Sequence, residues 1–110
     1  YILAYDANVS PEELEKTLPE FCRILHDAHP ETPILTVSHL RVPNENPASE
    51  WRTRRTAAHS RTGHAFLDGL SVLGDDFCEC YTDLVHPNDL GMTLYADALA
   101  EKVRSLLAEK

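Results

Sequence analysis

The chain has 110 residues and a mass of 12.4 kDa, which allows one small domain. Hydrophobic residues make up 43%, a globular share, and no apolar run approaches the roughly 20 residues of a membrane span. Eighteen acids against ten bases give a net charge of −8, and an acidic surface repels phosphate backbones, which argues against nucleic-acid binding through a broad basic face.

The front of the chain, Tyr1 to Tyr5, is apolar and β-forming, as in a strand buried on both faces of a parallel sheet. Ser10-Pro11-Glu12-Glu13 then predicts a helix start: Ser10 caps, Pro11 fits the first helical position and Glu13 completes a capping box. Leu14, Leu18, Phe21, Cys22 and Leu25 follow at helical spacing. Pro19 interrupts them, and Thr17-Leu18-Pro19-Glu20 repeats the capping pattern, so a kink or a restart is expected there. His29-Pro30 ends the helix. Residues 33–38 form a second buried strand, and residues 40–50, with Pro43, Asn44, Asn46 and Pro47, a loop.

Residues 51–61 are helical but poorly patterned, and Gly63 stops them. Ala65-Phe66-Leu67 is a third strand, and residues 74–82 are irregular. The best helix starts at Asn88 or Asp89. Tyr95, Ala98, Leu99, Lys102, Val103 and Leu106 form its stripe, with Asp97, Glu101 and Arg104 off it.

Strand and helix therefore alternate three times, the signature of an α/β domain with a parallel sheet and helices on both faces. Three strands make a thin core for such a sheet. The order suits the later part of a doubly wound domain, with N-terminal structure missing and a sheet edge open to self-association. The opening at Tyr1, without a charged leader or a starting Met, also reads as a cut from something longer, so a targeting segment could lie upstream.

Cys22, Cys78 and Cys80 are an odd set without framework spacing, and read as reduced structural thiols. Neither Cys78-Glu79-Cys80 nor a set drawn from His64, Asp68, Cys78 and Cys80 has recognisable metal-ligand spacing. His26, His29, His39, His59 and His64 are taken as surface or satisfied loop residues. Between residues 41 and 61, five arginines outnumber two glutamates, most simply as a solvated face; the minority reading is a contact for an anionic substrate group or a neighbouring domain.

The chemistry concentrates in Asp83-Leu84-Val85-His86-Pro87-Asn88, just before the last helix. In open parallel sheets such connections line the ligand crevice. The three-residue spacing lets the Asp83 carboxylate reach one imidazole nitrogen of His86 while the other points outward. That fixes the tautomer and stabilises the imidazolium formed when His86 takes a proton. The plain alternative is a turn ordered by Asp83 and His86, with Asn88 or Asp89 capping the helix.

This segment resembles the last block of the SGNH (GDSL-type) esterases and lipases, which supplies the Asp and His of a Ser-His-Asp triad. Tyr5-Asp6-Ala7-Asn8-Val9-Ser10-Pro11-Glu12-Glu13 is similar to the block carrying the family's oxyanion-hole Asn. Pro33-Ile34-Leu35-Thr36-Val37 and Leu70-Ser71-Val72-Leu73-Gly74-Asp75-Asp76 resemble the acylhydrolase subgroup. The likeness implies a three-layer, flavodoxin-like fold of which residues 1–110 are the C-terminal portion. It implies Asp83 and His86 as catalytic residues, Asn8 as an oxyanion donor, and no metal or organic cofactor.

The implied partner is a small-molecule, carbohydrate or lipid ester, hydrolysed through an acyl-enzyme. The family's Gly-Asp-Ser block and its oxyanion Gly block are absent. The nucleophile would come from an absent N-terminal part, and residues 1–110 alone would be inactive. The stretch between Thr36 and Phe66 is shorter than in the family. The alternative is a non-catalytic α/β interaction module that keeps the fold without the nucleophile.

Overall fold

Three short runs of β-formers pair side by side. In the computed structural model, which describes residues 1–109, β1 (Ile2–Leu3), β2 (Leu35–Val37) and β3 (Ala65–Leu67) form one parallel sheet in the order β1-β2-β3. Ile2 pairs with Leu35, and Leu35, Thr36 and Val37 pair with Ala65, Phe66 and Leu67. The first two strands are shorter than the apolar runs 1–5 and 33–38. Beyond Leu3 the backbone tightens into a 3-10 turn, Asp6–Asn8. Beyond Val37 it leaves the ladder and gives the His39 amide to the Asp6 carboxylate at 3.1 Å.

Helix α1 (Pro11–Ala28) starts at the expected cap, with Ser10 Oγ accepting from the Glu13 N–H at 3.1 Å. It passes through Pro19 as one helix, so the expected restart does not occur. The Thr17 hydroxyl caps nothing: it donates to the Glu13 carbonyl at 2.8 Å and meets the Tyr5 hydroxyl at 2.8 Å. Pro19 is exposed, where water can serve the Glu15 carbonyl that loses its helical partner. Leu14, Leu18 and Cys22 face inward, and with Leu3, Ile34 and Ala58 they form the main core. Full burial of Leu14 and Leu18 contributes roughly 1.5–3 kcal/mol each.

Helix α2 (Glu50–Ser60), capped by Ser49, packs against α1 over one face of the sheet. Helix α3 (Asp89–Ala108), capped by Asn88 Oδ1 at the Gly91 N–H, lies on the other, where Val103 and Leu106 share a cleft with Ile2 and Leu35. Strand alternation explains the split: Ile2 and Leu35 are register partners pointing one way, Leu3 and Thr36 the other. All six predicted stripe residues of α3 are half-buried, and Asp97, Glu101 and Arg104 are exposed.

After β3 the chain crosses the end of β2 almost in contact with its backbone. A Cβ at Gly69 would sit 2.0 Å from the His39 carbonyl oxygen and 2.4 Å from that of Ser38. The Gly69 N–H donates to Ser38 Oγ at 2.8 Å, so the approach is bonded as well as close. Gly69→Ala is therefore expected to destabilise the protein by about 2–3 kcal/mol through backbone overlap. A thermal melt of the variant within 2 °C of wild type, on the order of what under 1 kcal/mol produces, would contradict this packing.

Candidate active site

The loop before α3 is a small closed structure. Tyr81 and Pro87 form an antiparallel bridge, and the Thr82 N–H and hydroxyl both donate to the His86 carbonyl, at 2.9 and 3.0 Å. The Asn88 N–H donates to the Cys80 carbonyl at 2.7 Å, and Asn88 Nδ2 to that of Glu79 at 2.7 Å. The Tyr81 hydroxyl donates to the Arg41 carbonyl at 2.6 Å, which ties the loop to residues 40–50; burial pushes this phenol up to about 12.

Within the loop, Asp83 Oδ1 accepts the backbone N–H groups of Val85 and His86 at 2.7 and 2.6 Å. Its Oδ2 meets His86 Nδ1 at 2.7 Å. The hydrogen bond to the His86 ring, and then the two backbone N–H groups, lower the Asp83 carboxyl to about 2. An ionised carboxylate only accepts, so Nδ1 carries the proton and Nε2 keeps its lone pair in the neutral ring. The pair is exposed, His86 at 75% and Asp83 at 54% of the side chain, so water screens it and its chemistry matters more than its stability.

Asn8 ends the 3-10 turn after β1. Its backbone N–H donates to the Tyr5 carbonyl at 3.0 Å, and its exposed side chain hydrogen-bonds to no described residue. Asn8 therefore hydrogen-bonds to neither Asp83 nor His86. The two loops nevertheless share a cavity of about 490 Å³ at the C-terminal end of the strands, walled by Ala7 from one loop and by Val85 and Pro87 from the other. Val42, Trp51 and Tyr95 give it a largely apolar lining, and neither Asn8 nor His86 belongs to the wall itself.

Asp6 and His39, which also line this cavity, belong to a buried polar network that the sequence reading missed. Asp6, 1% exposed, binds the His39 N–H and His39 Nδ1 through Oδ1, at 3.1 and 3.2 Å, and His59 Nε2 through Oδ2 at 3.1 Å. Burial pushes the Asp6 carboxyl up, but the hydrogen bonds from His39 and His59 outweigh it and hold the group well below the usual carboxylate range. The His59 ring stacks on Phe66, with centroids 5.0 Å apart and planes 2° apart. His39 is thus a satisfied loop residue, as expected, whereas His59 lies in α2 and belongs to the interior frame, not to the surface or a loop.

The arginine-rich stretch is not a solvated face either. Arg52 and Arg55 are buried. Arg52 pairs with Glu45 through Nη2 at 2.7 Å and through Nε, and donates to the His39 and Leu40 carbonyls at 2.8 and 3.1 Å. Burial raises the Glu45 carboxyl, yet the bond from Arg52 leaves it below its ordinary value. Arg54 reaches across to Glu12 at 2.8 Å and to Glu15, joining α2 to α1. Spacing carried the missed signal: Arg52, Arg55 and His59 sit three and four residues apart, on one side of a helix.

A parallel sheet with helices on both faces, and an Asp–His loop at the carboxyl end of its strands, places the chain among three-layer α/β domains of the flavodoxin-like kind. The chain belongs to the GDSL-like lipase/acylhydrolase family, whose model matches residues 1–104. Among solved structures it is similar to the salicylyl-acyltransferase SsfX3 from a tetracycline biosynthetic pathway, with 22% identity and a TM-score of 0.65. That match covers 96% of this chain and 37% of the other, so the chain spans little more than a third of the neighbour's length. No curated protein matches.

Proposed function

We propose that residues 1–110 supply the Asp–His pair and one oxyanion donor of a serine ester hydrolase that works through an acyl-enzyme, with the nucleophile contributed by a serine outside these residues. The observation that carries this reading is the 2.7 Å contact between Asp83 Oδ2 and His86 Nδ1, which leaves His86 Nε2 a free base. In the reaction, His86 Nε2 takes the serine proton as the hydroxyl attacks the ester carbonyl. The Asn8 side-chain amide donates to the oxyanion of the tetrahedral intermediate. His86 then protonates the departing alcohol, and the acyl group stays on the serine until water displaces it.

Asp83 holds the ring and offsets the charge that His86 gains. The largely apolar cavity between the two loops suits the hydrocarbon part of an ester, since the polar groups on its wall, Asp6, His39 and Tyr81, are already bonded within the protein. The structural neighbour is a salicylyl-acyltransferase. Transfer to an alcohol instead of water would change only the group that deacylates the enzyme.

The test is covalent. A fluorophosphonate probe added to the full-length protein should leave one adduct on a serine outside residues 1–110. Hydrolysis of p-nitrophenyl butyrate should disappear in step with labelling. No adduct, or an adduct that leaves turnover intact, would overturn the proposal.

A further inference from the structure

One side chain from the middle of the sequence grips both ends of the Asn8 turn. Arg55 Nε donates to the Asp6 carbonyl at 3.2 Å, and its Nη2 donates to the Val9 carbonyl. Those carbonyls bracket Ala7 and Asn8. The guanidinium lies 4.0 Å over the Trp51 ring, and Arg55 is 2% exposed.

Beyond the Asp6 carboxylate and the packing of Tyr5 and Val9 on the core, the turn's own backbone does little to hold it. It is three residues long, 3-10 helices of that size are weakly self-supporting, and Asn8 contributes a single backbone hydrogen bond to it. Arg55 is the side chain that ties the backbone on both sides of Asn8, and it works with the Asp6 carboxylate that anchors the turn to His39 and His59.

Arg55 is also an expensive choice for mere stability. Its bonded partners are neutral carbonyls, and Nη1 is buried without a partner among the described residues. A buried cation without a directly bonded carboxylate costs more than an apolar residue of similar size. What arginine does offer here is a rigid planar fork that spans two fixed acceptors, which the single ammonium of lysine does not.

We infer that Arg55 is a positioning residue for Asn8, holding its amide where the oxyanion of the ester reaction forms. The inference rests on the oxyanion reading of Asn8 given above, and the variants separate the two. In full-length protein with p-nitrophenyl butyrate, Asn8→Ala should lower kcat about 100-fold, the scale of losing one oxyanion donor. Arg55→Lys should lower kcat about tenfold with KM within about twofold, because a displaced donor is felt chiefly in the transition state.

The double variant should be no slower than Asn8→Ala alone, since no donor remains to be placed. Wild-type kcat in Arg55→Lys, or losses that multiply in the double variant, would overturn the positioning role while leaving Asn8 as a donor. Unchanged kcat in Asn8→Ala would overturn the oxyanion reading and the positioning role with it. Should Arg55→Lys fail to fold, Arg55→Gln, which removes the buried charge and keeps one donor for the Asp6 carbonyl, is read against the same outcomes.

Discussion

Replacing His86 with alanine in the full-length protein is expected to lower kcat for p-nitrophenyl butyrate by roughly 10⁴- to 10⁶-fold, the range seen when a triad loses its base. The fold should be indifferent, because the His86 side chain is 75% exposed and belongs to no core cluster. Its melt should match wild type within the roughly 0.5 kcal/mol typical of surface substitutions. Asp83→Asn is the sharper companion. Asparagine can keep an oxygen for the backbone N–H groups of Val85 and His86, so the turn survives. It offers no carboxylate to the ring, and kcat should fall about 10⁴-fold through the wrong tautomer and an unsupported imidazolium.

The pH dependence separates the two groups further. Asp83 is held at about 2, so it is ionised throughout the range in which the protein would be assayed. A fall in kcat/KM on the acid side, at pH 5 or above, therefore does not report Asp83. His86→Ala with wild-type turnover would remove the triad, whatever the family.

The dyad was legible because its determinants are local. Asp83 and His86 are three residues apart in a turn closed by Pro87, and the Asn88 cap lies just beyond. The same holds for the Ser10 cap and the α3 stripe, whose positions follow from 3.6-residue periodicity alone. Helix α2 was legible only as a helix. Its inward side is Arg52, Arg55, Ala58 and His59, so the periodicity that marks a buried face was written in charge instead of hydrocarbon.

Charges on one side of a helix ordinarily mean solvent, because burying them is costly without partners. Here the partners exist but are remote: Asp6 lies 53 residues before His59, and its backbone carbonyl 49 residues before Arg55. No window of local sequence contains both halves of such a pair. Asp6 itself read only as a member of the block around Asn8. Even the Arg52–Glu45 pair, seven residues apart, spans a loop whose path the sequence does not fix.

Truncating Asp6 to alanine should therefore be among the most damaging changes to stability, at about 3–5 kcal/mol, the cost of breaking a buried charged pair from one side. It strands the His39 N–H, His39 Nδ1 and His59 Nε2 in an interior where Asp6 is 1% exposed. Against a total stability of roughly 5–15 kcal/mol for a small domain, that loss is a large share of what holds the fold. Asp6→Asn should cost less, about 1–2 kcal/mol. The amide oxygen can serve His39. His59 can exchange tautomers to accept from the amide, since its Nδ1 is otherwise unpartnered.

The pH dependence has a fixed sign. The Asp6 carboxyl is lowered in the folded state, so unfolding takes up a proton in acid. Its stabilising contribution is complete above the unfolded value near 4 and declines as pH falls below it. In urea titrations of the full-length protein, the gap between wild type and Asp6→Asn should narrow as pH falls from about 5 toward 3. An Asp6→Ala variant within 1 kcal/mol of wild type, or a gap that widens in acid, would mean that the carboxylate is not what joins the Asn8 turn to α2 and the end of β2.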